Sequence, residues 1–307
     1  MPYFALKSSS RAERLTRASK RGRAVLSSAP ELSAPLALQA QLIEIILDLA
    51  DQVDQHGLPR LSLPPRYAAT KLNAGVPVLG GEPIPLPLPI LVPGLGRLCD
   101  ALGRGGAGDA ADHIRDQIAQ SRMDAGSLLS ASLGRDQHAI RQGAQHRGLS
   151  PDLLWLVAEL AVSPFANALQ RSILESAKSR PELGAALEAW THGYCPVCGS
   201  WPALAEAMGA RPVLRCSFCA LAWQRPPTAG CAYCGERGDR FAVVPHESRP
   251  DRRLELCGAC RAYLKVLDTS DLTPFPLVAI GDLETMDLDL SAAERGYARP
   301  GLREIRR

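Results

Sequence analysis

Four Cys-x-x-Cys pairs within 66 residues constrain this chain more than any other feature. They are Cys195/Cys198, Cys216/Cys219, Cys231/Cys234 and Cys257/Cys260, eight of the nine cysteines in 307 residues. Each pair turns tightly and points two thiolates to one side, so two turns can close a tetrahedral four-sulfur site. Four pairs this close read as metal knuckles rather than a redox pair or a disulfide framework. The gaps are 17, 11 and 22 residues. The first and last gaps suit a hairpin ribbon with a knuckle at each end. Sequential grouping is therefore expected: Cys195, Cys198, Cys216 and Cys219 in site one, and Cys231, Cys234, Cys257 and Cys260 in site two. Interleaved grouping also satisfies the spacing. Four sulfurs leave no open coordination position, which argues for a staple and against metal catalysis. Zinc and iron both accept tetrahedral sulfur, and spacing does not choose between them.

Around these pairs the chain reads as a multidomain α+β protein. Residues 1–190 form a mainly helical domain, with 1–30 as a basic, partly helical and flexible tail. Residues 191–307 form a region of two small rubredoxin-like or zinc-ribbon-like four-cysteine modules, with a C-terminal helix. Helical periodicity runs over 36–56, 109–121 and 123–140. Ser150-Pro151-Asp152 supplies a cap, a first-turn proline and an acid for a helix running through Lys178, with a kink expected at Pro164. Pro181 opens another helix that ends near Trp190. Residues 57–96 read as an irregular connector, because Pro85, Pro87, Pro89 and Pro93 interrupt its apolar part. After 191 short strand-like runs appear at 212–215, 220–224, 240–245, 254–256 and 263–266. No internal repeat is evident apart from the cysteine pairs.

Other chemistries find little support. The formal charge is +3. In 191–307 there are 15 Lys and Arg against 14 Asp and Glu, so eight thiolates around two divalent ions would leave the region acidic. That disfavours a ribbon built for nucleic acid. The basic N-terminus lacks the apolar run of an export signal, so a cytoplasmic protein without membrane insertion is expected. No phosphate loop, nucleophile elbow or zincin motif occurs, so no catalytic and no organic-cofactor residues are assigned and no enzyme is expected. His192 and His246 lie near cysteines, but each site already has four sulfurs. Cys99 reads as a buried apolar thiol. Trp201, Trp223, Tyr194, Phe218 and Tyr233 are expected to pack around the knuckles. Asp282, Glu284, Asp287 and Asp289 read as a solvated helix face, and Arg299–Arg307 as a solvated tail.

Taken together, His192–Gly199 (HGYCPVCG), the three further pairs, Ala262-Tyr263-Leu264-Lys265 and Gly296-Tyr297-Ala298-Arg299 resemble the formate dehydrogenase accessory protein family, FdhE. The resemblance covers roughly 185–301. It implies a cytoplasmic maturation factor that binds the formate dehydrogenase catalytic subunit before that subunit is exported. It also implies two metal ions per chain on the eight cysteines, with iron favoured and zinc the alternative. A rubredoxin-type electron carrier is the second reading and a zinc-ribbon nucleic-acid adaptor the third. Oligomeric state is left open, a homodimer included.

Overall fold

The structure, a computed structural model, describes residues 3–4, 9–61, 63–209, 212–224 and 230–300. The chain forms two compact units, each assembled from separated stretches. One comprises 9–61 and 79–172; the other comprises 63–78 and 173–300 with the strand at 3–4. These limits differ from a single division at 190: residues 63–78 and 173–190 pack with the cysteine region.

In the first unit, α1 (Arg11–Ser28) opens with a capping box, Ser10 and Glu13 each satisfying the other's backbone N–H. This stretch was expected to be part of a flexible tail. It is instead an ordered helix whose Arg11 pairs with Asp51 at 3.0 Å and Asp48 at 3.5 Å on α2 (Ser33–His56). α3 (Pro65–Asn73) belongs to the other unit, and α4 (Leu88–Leu102) returns to this one. Both fall where a connector was expected. Pro89 lies in the first turn of α4, where its missing N–H is no loss. Pro93 costs one helical hydrogen bond, roughly 3 kcal/mol. Leu91, Leu95 and Leu98 are all fully buried, and at roughly 1.5–3 kcal/mol each their burial outweighs that cost.

The unit is completed by α5 (Gly108–Ala119), α6 (Ala125–Leu133), α7 (Gln137–His146) and most of α8 (Pro151–Ser179). The periodic run 123–140 is split because Arg135 takes a left-handed conformation and Asp136 caps α7 through the Ala139 N–H. Two helical stretches, Pro30–His56 and Pro151–Ser179, are long and apolar enough to cross a membrane by length and composition. Of their most apolar windows, 33% and 67% are buried within the protein.

The second unit contains α3, α9 (Pro181–Glu188) and a seven-stranded mixed sheet. Its strands are β1 (Tyr3–Phe4), β2 (Pro202–Ala207), β3 (Pro212–Cys216), β4 (Ala222–Gln224), β5 (Phe241–Pro245), β6 (Arg252–Cys257) and β7 (Ala262–Asp268). Their spatial order is β1-β4-β3-β2-β7-β6-β5. Strands β2, β3 and β4 form one antiparallel ribbon, and β5, β6 and β7 form another. The parallel pair β2–β7 joins them, with Ala205 opposite Val266.

Each ribbon has a knuckle before its first strand and another between its second and third. The pattern knuckle–strand–strand–knuckle–strand thus occurs twice, a structural repeat visible in sequence only as its cysteines. β2 lay outside every expected strand because Pro-Ala-Leu-Ala-Glu-Ala has helix-favouring composition. Burial between β3 and β7 overrides that preference. Short helices α10 (Val278–Leu283) and α11 (Met286–Glu294) follow. Leu288 and Ala292 of α11 cover Leu254, Leu256 and Tyr263 of the second ribbon.

Candidate metal centres

The eight cysteines gather as two groups of four, Cys195/Cys198/Cys216/Cys219 and Cys231/Cys234/Cys257/Cys260, the sulfurs of each lying within 4.8 Å of one another. The grouping is sequential. Within site one, Cys195–Cys219, Cys198–Cys216 and Cys198–Cys219 are separated by 3.7, 3.4 and 3.6 Å. Within site two, Cys231–Cys260 and Cys234–Cys257 are separated by 3.6 and 3.5 Å. A metal–sulfur bond of about 2.3 Å in a tetrahedron places its sulfurs about 3.8 Å apart. Each group is therefore close to the size that a thiophilic ion requires. The donor set admits zinc and iron alike.

The knuckles share one backbone device. The residue after the second cysteine is left-handed in all four: Gly199 (φ 79), Ala220 (φ 58), Gly235 (φ 77) and Arg261 (φ 59). That reversal returns the chain and aims N–H groups at sulfur. Phe218 and Cys219 N–H donate to Cys216 Sγ at 3.4 Å each, and Tyr233 N–H donates to Cys231 Sγ at 3.4 Å. Burial pushes the thiols of Cys195 and Cys219 well up. Burial also acts on Cys216, but hydrogen bonds from the other three sulfurs outweigh it and hold that thiol well below the ordinary range. Site two repeats the arrangement. Burial raises Cys231 and pushes Cys260 to about 11. At Cys257, in the position equivalent to Cys216, N–H groups of Cys260 and Ala259 outweigh burial and lower the thiol. Each group therefore has one sulfur that the knuckle itself helps to ionise.

The surroundings of the two groups differ. All four cysteines of site one are buried, whereas in site two Cys234 is exposed and Cys260 half-buried. Beside Cys216, Arg215 is fully buried and pairs with the Glu206 carboxylate. Its guanidinium also donates to Thr273 O at 2.6 Å, and Thr273 N–H donates to Glu206 at 3.0 Å. Sequence reasoning missed this pair. The apolar context of β2 and β3 conceals two charges that face each other only once the strands are paired.

Three of the five aromatic residues expected at the knuckles, Tyr194, Trp201 and Tyr233, make ring contacts there. Ring contacts run Trp190–His192–Tyr194–Trp201–Tyr233, with centroid separations of 4.7, 5.0, 5.7 and 5.5 Å. The series passes from residues beside Cys195 to a residue inside the Cys231 knuckle. Gly193 is fixed by close approach, since a Cβ there would lie 1.5 Å from Ala232 O. His192 belongs to the aromatic series. Nδ1 of His246 accepts N–H bonds from Ser248 and Arg249, while its Nε2 lies 3.0 Å from Asp287. Neither histidine is in a cysteine group.

The acidic stretch is not a uniformly solvated face. Lys265 is buried, with its Nζ 2.8 Å from Asp282 and 2.9 Å from Asp289. Arg299, expected to begin a solvated tail, holds both carboxylates as well. Residues 301–307 of that tail lie outside the described residues. Thus the two family-like segments, 262–265 and 296–299, meet around one charge cluster.

No family model matches the chain. It is 31% identical over 166 residues to the FdhE homolog protein of Haemophilus ducreyi, covering 52% of this chain and 50% of the relative. To the Aquifex aeolicus FdhE homolog it is 34% identical over 120 residues, covering 36% and 41%. The chain thus spans about half the length of the curated relatives it matches, or less. Its fold is similar to the crystal structure of the FdhE protein from Pseudomonas aeruginosa, with a TM-score of 0.60 and 23% identity, over 98% of this chain and 96% of that one. The chain is thus similar in sequence to FdhE proteins over about half its length or less, and in fold to a solved FdhE structure over nearly all of it.

Proposed function

We propose that this protein is a non-catalytic, cytoplasmic accessory protein in the maturation of formate dehydrogenase. Its partner in this reading is the catalytic subunit of that enzyme before export. Each four-cysteine group binds one metal ion, two per chain, with iron favoured by family likeness and zinc the alternative. The observation that carries the reading is the pair of closed four-sulfur groups in an FdhE-like chain. Four protein ligands leave an ion no open position for substrate, so the ions act as staples. A stapled sheet with aromatic side chains packed between its knuckles is a rigid surface, suited to holding another protein. The residues 191–307 act in this reading as the metal-binding region, with the helical stretches of 1–190 as its scaffold.

The test is co-purification. The formate dehydrogenase catalytic subunit should be recovered with the wild-type chain and lost with Cys216→Ser/Cys219→Ser. Deleting the gene should lower formate dehydrogenase activity more than its transcript. Normal activity after deletion, with no recoverable complex, would falsify the assignment. The exposure of Cys234 favours a second reading, a rubredoxin-type electron carrier. A reversible visible charge-transfer band from bound iron supports it, and a protein holding only zinc excludes it.

A further inference from the structure

Resting on the reading that both groups bind metal, we infer that site two is an exchange site. An incoming thiolate-bearing ligand displaces Cys234 and withdraws the ion, while site one keeps its ion. The observation is one knuckle built twice, once covered and once bare. In site one, Val78 N–H donates to Pro196 O at 2.9 Å, and Tyr194 Oη donates to Gly75 O at 2.6 Å. Pro77 Cγ lies 3.1 Å from where a Cβ on Gly199 would stand. Residues 75–78 thus lie over the first knuckle, and all four of its sulfurs are buried.

In site two the equivalent glycine, Gly235, has no described atom within 4 Å of such a Cβ. Cys234 beside it is exposed, Cys260 is half-buried, and Arg237–Arg240 and Ala259 are exposed as well. Two of the four sulfurs can therefore be approached from solvent without opening the fold.

Ligand exchange there needs no electron transfer. The incoming thiolate forms a metal–sulfur bond, and the metal–Sγ bond of Cys234 breaks. The released thiolate takes a proton from water. The same step at Cys260 follows, and the buried Cys231 and Cys257 leave last. At site one, every sulfur must wait for a local opening of the sheet before a ligand can reach it.

The full-length chain is reconstituted with Zn(II), its bound metal counted by elemental analysis, and then mixed with excess 4-(2-pyridylazo)resorcinol. One equivalent should leave at least about tenfold faster than the other, since only site one waits on local opening. In parallel, iodoacetamide on the wild-type chain should modify Cys234 and Cys260 before any cysteine of site one, read by peptide mass spectrometry. Cys234→Ser should abolish the fast phase and keep the slow one. Release of two equivalents in a single phase, or labelling of Cys195 or Cys198 as early as Cys234, overturns the inference. Fewer than one equivalent bound at the outset sinks the metal reading itself, a separate failure.

Discussion

The two cysteine ribbons are nearly the same object in different settings. Both have a knuckle before the first strand and another after the second, left-handed residues at matching positions, and one sulfur favoured for ionisation. Both carry a buried cation on a strand, Arg215 in the first and Lys265 in the second. In the first ribbon a single carboxylate, Glu206, answers the cation inside the sheet, and residues 75–78 cover a knuckle. In the second, Asp282 and Asp289 answer it from outside the sheet, and no described atom lies within 4 Å of where a Cβ on Gly235 would stand. Coordination chemistry is thus set by the repeated knuckle, whereas lability is set by what the rest of the chain lays over it. The same eight ligands can serve as one permanent staple and one accessible ion.

The largest effect should separate the sites most clearly. Structural zinc contributes roughly 10–16 kcal/mol of apparent binding energy, comparable with the whole stability of a domain. Cys195→Ser removes a fully buried ligand and should unfold the sheet. Trp190, Trp201 and Trp223 lie in the sheet-bearing unit and Trp155 in the helical one. The variant should therefore show red-shifted tryptophan emission while keeping most of its helical circular dichroism. Cys234→Ser should lose one metal ion and leave the emission near wild type. Equal unfolding in the two variants would show that exposure does not distinguish the sites.

Next in size is the pair behind site one. Removing one partner of a buried ion pair strands the other, at roughly 3–5 kcal/mol. Glu206→Leu strands Arg215, so its unfolding free energy, read by urea denaturation, should fall by that amount. Glu206→Leu/Arg215→Met should recover most of the loss, because two apolar side chains then fill the space. If the double variant is as unstable as the single one, the charge is not what costs stability there.

What could be read in the sequence follows from the range of each interaction. The knuckles were legible because a four-sulfur site imposes local spacing. Helices α2, α8 and α9 were legible from periodicity and first-turn prolines. The cover over site one was not. Tyr194 and Gly75 meet across 119 positions, and nothing local to residues 75–78 announces it. β2 was lost for a related reason, since an alanine-rich hexapeptide becomes a strand only between two partners. Arg299 looked solvated because its partners, Asp282 and Asp289, turn inward only after α10 and α11 pack.

A pH measurement can sharpen the contrast in the second ribbon. Burial pushes the Asp282 carboxyl up, but Arg299 and Lys265 outweigh it and hold it below the usual range. A carboxyl with a lowered folded pKa contributes stability at pH above its unfolded value. That contribution fades as pH falls through the ordinary carboxylate range to the folded value. Asp282→Asn should therefore cost about 1.5–3 kcal/mol near neutrality, typical of a charged hydrogen bond. The gap to wild type should close below about pH 4. Comparing the two chains at each pH cancels the acid loss of thiolate-bound metal common to both. A gap that stays constant with pH would remove the ion pair from the account.

The smallest effect tests the cover itself. Gly199 and Gly235 occupy the same position of the repeat with nearly the same φ, 79 and 77. A left-handed conformation costs a non-glycine residue roughly 1–2 kcal/mol, so Gly199→Ala and Gly235→Ala share that loss. The knuckle tolerates such a residue, because Ala220 and Arg261 already stand at the corresponding position of the other two turns. What differs is the neighbour. At 235 the new methyl group meets no described atom, whereas at 199 it approaches Pro77 Cγ to 3.1 Å and must displace the covering segment. Gly235→Ala should therefore lower the unfolding free energy only by the conformational share. Gly199→Ala should lower it by about 1 kcal/mol more, within the range for overpacking, and quicken the slow phase of metal release. Equal losses in the two variants, with unchanged release from site one, would mean that residues 75–78 touch the knuckle without protecting it.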